Sequence, residues 1–214
     1  MSQHPNHRNH AYSTPQAAPP ARSLPRRDLR DAARGPFTPP ATAGQQTQQA
    51  PDLAQRHELL HRLGVATTGN EDFDDLARDM AEQAGFLYGF VNLFLEEQTF
   101  VGLHQPPVDS GFVIVGRTMS RHHGWCPEVM ARRKALPLHD VHASPRFSGN
   151  AVVDAVGIRS YFGAPLIHDS GTVLGTVCVI DPDKRPLSEA RRLRDLVIHA
   201  GTQVMDHIAR APAR

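Results

Sequence analysis

Residues 159–188, RSYFGAPLIHDSGTVLGTVCVIDPDKRPLS, constrain the fold more than any other stretch of this 214-residue chain. Two runs of apolar and β-branched residues, Ile158 to Ile167 and Thr172 to Ile180, flank HDSG, whose residues accept the backbone angles of a tight turn. The pattern predicts an antiparallel hairpin, and Asp181-Pro182 turns the chain out of its second strand. Strict alternation puts Leu174, Thr176, Cys178 and Ile180 on one face and Val173, Gly175, Val177 and Val179 on the other. Cys178 then keeps Thr176 and two aliphatics as company, with no base or second thiol in its own segment, and reads as packing.

The flanking sequence supplies the other elements. In NEDFDDLARDMAEQAG the acids crowd the first turn, where they suit the helix dipole, and Phe73, Leu76, Ala77, Met80, Ala81 and Ala84 hold a helical stripe up to Gly85. FLYGFVNLFLEEQTFVGL then changes period and predicts two antiparallel strands on either side of Glu96-Glu97. Residues 104–120, with Pro106-Pro107, read as a loop or cover. Pro127 suits the first position of a short helix to about Ala135, which places Cys126 at the N-cap. LPLHDV reads as a brief strand and SPRFSGN as a turn, with Asn150 positioned to cap AVVDAVG.

Two longer helices close the ends. Asp52 is a plausible N-cap for a helix carrying Leu53, Leu60 and Leu63 to Gly64, and Ser188 caps a final helix striped by Leu193, Leu196, Val197, Ala200, Val204 and Ile208. Such an order is α+β: an antiparallel sheet with the terminal helices on one face and the middle insertions over the other.

Composition bounds what such a fold does. Residues 1–51 hold nine of the 18 prolines and the QQTQQ tract, too little apolar surface to offset chain entropy, so a disordered tail is expected before a domain at 52–210 and a short tail at 211–214. Residues 1–51 carry six Arg against two Asp, whereas residues 52–214 carry 17 basic and 20 acidic side chains, which argues against nucleic acid as the partner of the folded part. No apolar run is long enough to span a membrane, the N-terminus has no signal-peptide pattern, and Cys126 and Cys178 are too few for a disulfide framework. A cytoplasmic protein with no membrane partner is expected.

FDDLARDMAEQAG, WCPEVMARRKALPLHDV, SPRFSGN, the hairpin block and the closing helix, in this order, resemble a GAF domain, the small-molecule sensor module of bacterial signalling, over about residues 52–210. The most specific match is Tyr161, Gly163, Ala164, Pro165, Leu166, Gly171, Leu174, Gly175, Cys178, Asp181 and Pro182. Ser144 stands where the resemblance implies Asp. What it implies is a GAF/PAS-like fold: a six-stranded antiparallel sheet, terminal helices on one face and a ligand pocket on the other. It also implies a non-enzymatic module, homodimerisation through the terminal helices and a downstream signalling protein. With no output domain in the sequence, the signal is expected to leave through such a partner, a dimer interface or the tail. The motif of GAF domains that bind cyclic nucleotides is missing, and Pro127 stands where a bilin-binding domain places His.

The candidate ligand contacts are Cys126, Asp140, Asp154, Arg159 and Tyr161. Cys126 stands at a helix start near His122 and His123, where a thiolate is favoured, so it is a redox switch, a ligand contact or a small apolar wall residue. Asp140, Asp154, Arg159 and Tyr161 lie at strand ends or a helix edge, where they either fix a ligand's polar groups or form an Asp–Arg pair holding the short helix to the strand. No cofactor is identified. His122, His123, Cys126, His139 and His142 are imidazole and thiolate ligands that suit a haem or metal sensor. A free methionine sulfoxide reductase, the enzyme built on this fold, uses a closer set of cysteines than two separated by 52 residues.

Overall fold

The computed structural model describes residues 43–210, and side chains within it except those of residues 43–51, 151, 153 and 154. Of the tail expected to be disordered over residues 1–51, residues 1–42 lie outside the described residues, as does the short tail at 211–214, whereas residues 43–51 form the first part of a helix that continues into the domain.

Six strands form one sheet: β1 (Tyr88–Phe94), β2 (Gln98–His104), β3 (Thr118–Met119), β4 (Leu136–Leu138), β5 (Ser160–Ile167) and β6 (Val173–Asp181). Their order is β3-β2-β1-β6-β5-β4, and every pairing is antiparallel. The sixth strand comes from within residues 104–120, read from sequence as a loop: Thr118 and Met119 pair with Thr99 and Gln98. Two residues carry no readable alternation, so the strand is set by the β2 edge and not by its own sequence.

Helices α1 (Ala43–Arg62), α2 (Glu71–Ala84) and α6 (Ala190–Arg210) cover one face, as the terminal stripes predict. Asn70 Oδ1 accepts the Phe73 amide at 2.9 Å to cap α2, and Gly85, at φ 71°, closes it while the Phe86 amide bonds Ala81 O. The other two starts differ from expectation. Asp52 lies inside α1, which runs on from Ala43, and Ser188 lies in a 3-10 turn, Leu187–Glu189, that leads into α6 without a side-chain cap.

The second face is covered by short elements: α3 (Cys126–Arg132), a 3-10 turn (Val141–Ala143), α4 (Pro145–Ser148) and α5 (Ala151–Val156). Asn150 accepts the Val152 amide at 3.1 Å and so caps α5, as predicted, and Gly157 follows it at φ 72°. Ser144 starts α4 without a side-chain capping bond. Helix α3 has Trp125 as its N-cap, which makes Cys126 its first residue, and it ends at Arg133 in the left-handed region, φ 53°.

A sheet sandwiched between two layers has two cores. Val91, Leu93, Phe162, Ala164, Val177 and Val179 face the long helices, while Phe90, Phe94, Tyr161, Cys178 and Ile180 face α3. Within β6 the alternation fails at one place: Leu174 packs among the long helices instead of beside Cys178. The pairing slips there, Leu166 opposing Gly175 and Ile167 opposing Val173, so Leu174 is the extra residue of a β-bulge.

Candidate functional site

The two thiols meet. Cys126, brought by the first turn of α3, and Cys178, brought by the middle of β6, stand with their Sγ atoms 3.7 Å apart, both unbridged and both buried. Cys178 is packed as its sequence implied, 4% exposed, but its company includes the second thiol that its own strand lacks.

Tyr161 completes the cluster, with its hydroxyl 3.5 Å from Cys126 Sγ. Tyr161 and Gly163 lie on the same strand face, and the tyrosine ring runs along β5 over the space that a side chain at 163 would fill. That gives the Tyr-x-Gly spacing a physical purpose: only a residue without Cβ lets the ring lie flat and its hydroxyl reach the sulfur. Trp125 covers the tyrosine, ring centroids 5.2 Å apart, and anchors its own indole N–H on Phe147 O at 3.2 Å.

Beneath the thiols lie polar groups that carry no motif in the sequence. Asn92 and Thr176 are fully buried at adjoining positions of β1 and β6. Asn92 Nδ2 donates to Gln98 Oε1 at 2.9 Å, and Gln98 in turn donates to Ser120 O and His123 O, which holds the loop before α3 on the sheet. Asn92 Oδ1 and Thr176 Oγ1 have no hydrogen-bond partner among the described residues. Asparagine is depleted in strands, so its place inside FVNLF was the available signal that this strand carries more than packing.

These neighbours separate the two sulfurs electrostatically. Hydrogen bonding from Cys178, with smaller help from the Tyr161 hydroxyl and the neighbouring polar groups of Thr176 and Asn92, which lie close without a hydrogen bond of full geometry, outweighs burial and pulls the Cys126 thiol down to about 7. The same bond to Cys126, with burial, pushes Cys178 well up. Burial and the adjacent sulfurs likewise hold Tyr161 protonated far above the ordinary phenol range, so it remains a donor. The arrangement favours one thiolate, on Cys126, flanked by the Cys178 thiol and the Tyr161 hydroxyl. A thiolate favoured in the fold adds stability at pH above the ordinary thiol range, lost as pH falls through about 7; Cys178, shifted upward, opposes it. Reactivity has no such cancellation. The rate at which peroxide oxidises Cys126 is expected to rise with a midpoint near pH 7, and a midpoint near 8.5, the ordinary thiol value, contradicts this geometry.

The thiols and Tyr161 border a cavity of about 50 Å³, otherwise walled by Phe90, Phe100, Met119, Trp125 and Val156 among other apolar residues, with no charged group in its lining. The remaining predicted residues stand elsewhere. Asp140 and Arg159 line none of this cavity; they pair with each other, Arg159 Nη2 at 3.0 Å and 3.2 Å from the two carboxylate oxygens, and Arg159 holds the Asp140 carboxyl below its ordinary range. Asp140 also accepts the His142 amide at 3.0 Å, so the pair fixes the turn after β4 to the start of β5. The Asp154 side chain lies outside the described residues. His122, His123, His139 and His142 do not converge with Cys126: among the described residues no three His, Cys, Asp or Glu side chains are placed to hold a metal ion. No described helix is long and apolar enough to cross a membrane.

A two-layered cover over an antiparallel sheet, with a pocket under the shorter layer, defines a sensor-type α+β domain. The chain belongs to the GAF domain family, whose model matches residues 70–211, and GAF domains are sensory and ligand-binding modules. Among solved structures it is similar to the GAF domain of a phosphoenolpyruvate-protein phosphotransferase from Acinetobacter, at 15% identity and TM-score 0.50, covering 77% of this chain and 94% of that one. It is also similar to the free methionine-R-sulfoxide reductase of Neisseria meningitidis in complex with its substrate, at 16% identity and TM-score 0.48, covering 81% and 95%. At these identities the likeness is one of fold. No curated protein matches the chain.

Proposed function

We propose that this chain is a non-enzymatic GAF sensor that reads redox state through Cys126 and Cys178. The supporting observation is the 3.7 Å separation of two buried thiols, with the Tyr161 hydroxyl 3.5 Å from the one favoured as thiolate.

A hydroperoxide is the oxidant class that suits the site. The Cys126 thiolate attacks one peroxide oxygen; an S–O bond forms, the O–O bond breaks, and the departing oxygen takes a proton to leave as water or alcohol. Cys178 then attacks the sulfur of the Cys126 sulfenic acid; the S–S bond forms, the S–O bond breaks, and hydroxide leaves with the Cys178 proton as water. Two thiols and one hydroperoxide thus yield a disulfide, one water, and a second water or alcohol. A low-molecular-weight thiol or a dithiol protein reverses the change by exchange.

Oxidation changes shape as well as charge. Closing 3.7 Å to a bond of about 2.05 Å draws the first turn of α3 toward β6. Val177, beside Cys178, faces Gly201 of α6 on the opposite side of the sheet, which gives the movement a route to the terminal helix. A partner that binds the two states of that helix unequally receives the signal.

Two other readings fit less well. Organic ligands occupy pockets of roughly 300–1,000 Å³, against about 50 Å³ here, room for a molecule of peroxide size. A reductase acting on free methionine sulfoxide needs partners for an ammonium and a carboxylate, and this lining has no charged group. The test is a pair of assays on the full chain. Stoichiometric peroxide is expected to consume both thiols in the wild type and to leave a trappable sulfenic acid in Cys178→Ser, with no reductant-coupled turnover of free methionine sulfoxide. Turnover abolished by Cys126→Ser would instead make the chain an enzyme.

A further inference from the structure

A second concavity has different chemistry. Between α1, α3 and the β5–β6 turn lies a cleft of about 630 Å³ whose walls carry Arg56, Arg121 and Arg133 against one carboxylate, Asp52. We propose that this cleft binds a phosphorylated small molecule. The proposal is independent of the dithiol, since the cleft is lined by α3 from Pro127 onward and contains neither sulfur.

Arg56 carries the argument furthest. It is 6% exposed, and its Nε and one Nη donate at 2.7 Å to Val173 O and Phe94 O. Those bonds tie α1 to the ends of β6 and β1, which accounts for its planar fork but not for its charge: carbonyls solvate a guanidinium without neutralising it. Among the described residues no carboxylate lies within ion-pair distance of Arg56, Arg121 or Arg133. Burial and the nearby Arg121 accordingly lower the Arg56 pKa, with Asp52 opposing. A buried cation facing other cations across open space is costly, and an anion seated between them relieves it.

The remaining walls indicate what that anion is attached to. Three guanidiniums less one carboxylate leave a double positive charge, which a phosphate dianion balances, and guanidinium forks match phosphate oxygens two by two. Phe94, Pro127, Met130 and Val173 supply apolar surface for an organic body. A tie between α1 and the strands needs only Arg56; Arg133 also donates to the Gly171 carbonyl, which fixes α3 to the β5–β6 turn but leaves its charge, like that of Arg121, without a counter-ion among the described residues.

The probe is inorganic pyrophosphate, titrated calorimetrically into the full chain at constant ionic strength, with citrate as a parallel arm. Arg56 is left in place because it holds α1 to the strands; Arg121→Gln and Arg133→Gln are the variants, with Arg194→Gln, whose partner is Asp195 on α6, as the distant control. Saturable binding is expected, weakened tenfold or more by either cleft variant and unchanged by the control. Absence of saturable binding up to millimolar pyrophosphate overturns the proposal, as does equal binding by wild type and both cleft variants. Citrate binding as tightly as pyrophosphate overturns the assignment to phosphate.

Discussion

Gly175→Ala is expected to cost about 3 kcal/mol of folding stability, the upper end for an overpacked interior, and to lower the melting temperature by roughly 10 °C for a domain of this size. Gly175 lies in β6 opposite Leu93, where β1 comes closest to it. A Cβ at 175 falls on the Asn92 carbonyl oxygen and within 2.9 Å of Asn92 C and Leu93 Cα. All three are backbone atoms of the central strand pair, so no rotamer change relieves the contact and β1 must separate from β6. The thiol site moves with it, because Asn92 and Thr176 are paired beside that contact. Thermal denaturation checks this, and a loss under 1 kcal/mol would show that the strands part easily.

Asp181→Ala is the second large effect, with an expected loss of about 3–4 kcal/mol, the range for removing one member of a buried ion pair. Asp181 is 4% exposed. Its carboxylate accepts the Leu87 amide at 3.0 Å and the Asp183 amide at 2.9 Å and pairs with Arg185 at 3.0 Å. Arg185 lies over the Phe86 ring at 4.2 Å, so this one carboxylate joins the entry to β1 to the exit from β6. Without it two amides lose their acceptor, and the Arg185 guanidinium keeps only the Gly85 carbonyl. Asp181→Asn keeps an acceptor oxygen and is expected to lose markedly less in denaturant unfolding; equal losses for the two variants contradict the carboxylate's role as shared acceptor.

Asp181 also shows what sequence reading reaches. The Asp-Pro pair reads as the exit from a strand, and so it is, but the partners that make the aspartate costly lie 94 residues upstream and four downstream. Local signals behaved similarly elsewhere. The α2 stripe with its acidic first turn and Gly85 stop, the β5–β6 hairpin and the Asn150 cap are legible because each is specified within a few residues. Failures came where distant structure decides: Thr118 and Met119 become a strand only because β2 offers an edge, and Leu174 changes face because its pairing with β5 slips.

The site followed the same division. Cys126 and Tyr161 were singled out singly, from a helix start and a strand motif. Their meeting with Cys178 depends on β6 lying at the centre of the sheet and on α3 crossing it, and a separation of 52 residues encodes neither. Asp140 and Arg159 were identified as polar residues of consequence, and their consequence is a mutual ion pair that fixes a turn.

Peptide mapping under non-reducing conditions, after a brief peroxide pulse on the full chain, tests whether the two thiols form a redox pair. A Cys126–Cys178 cross-linked peptide is expected, lighter by two hydrogens than its reduced halves, formed within one chain and lost on adding dithiothreitol. Oxidation that stops at separate sulfinic acids on the two cysteines, or that links different chains, would contradict that pairing.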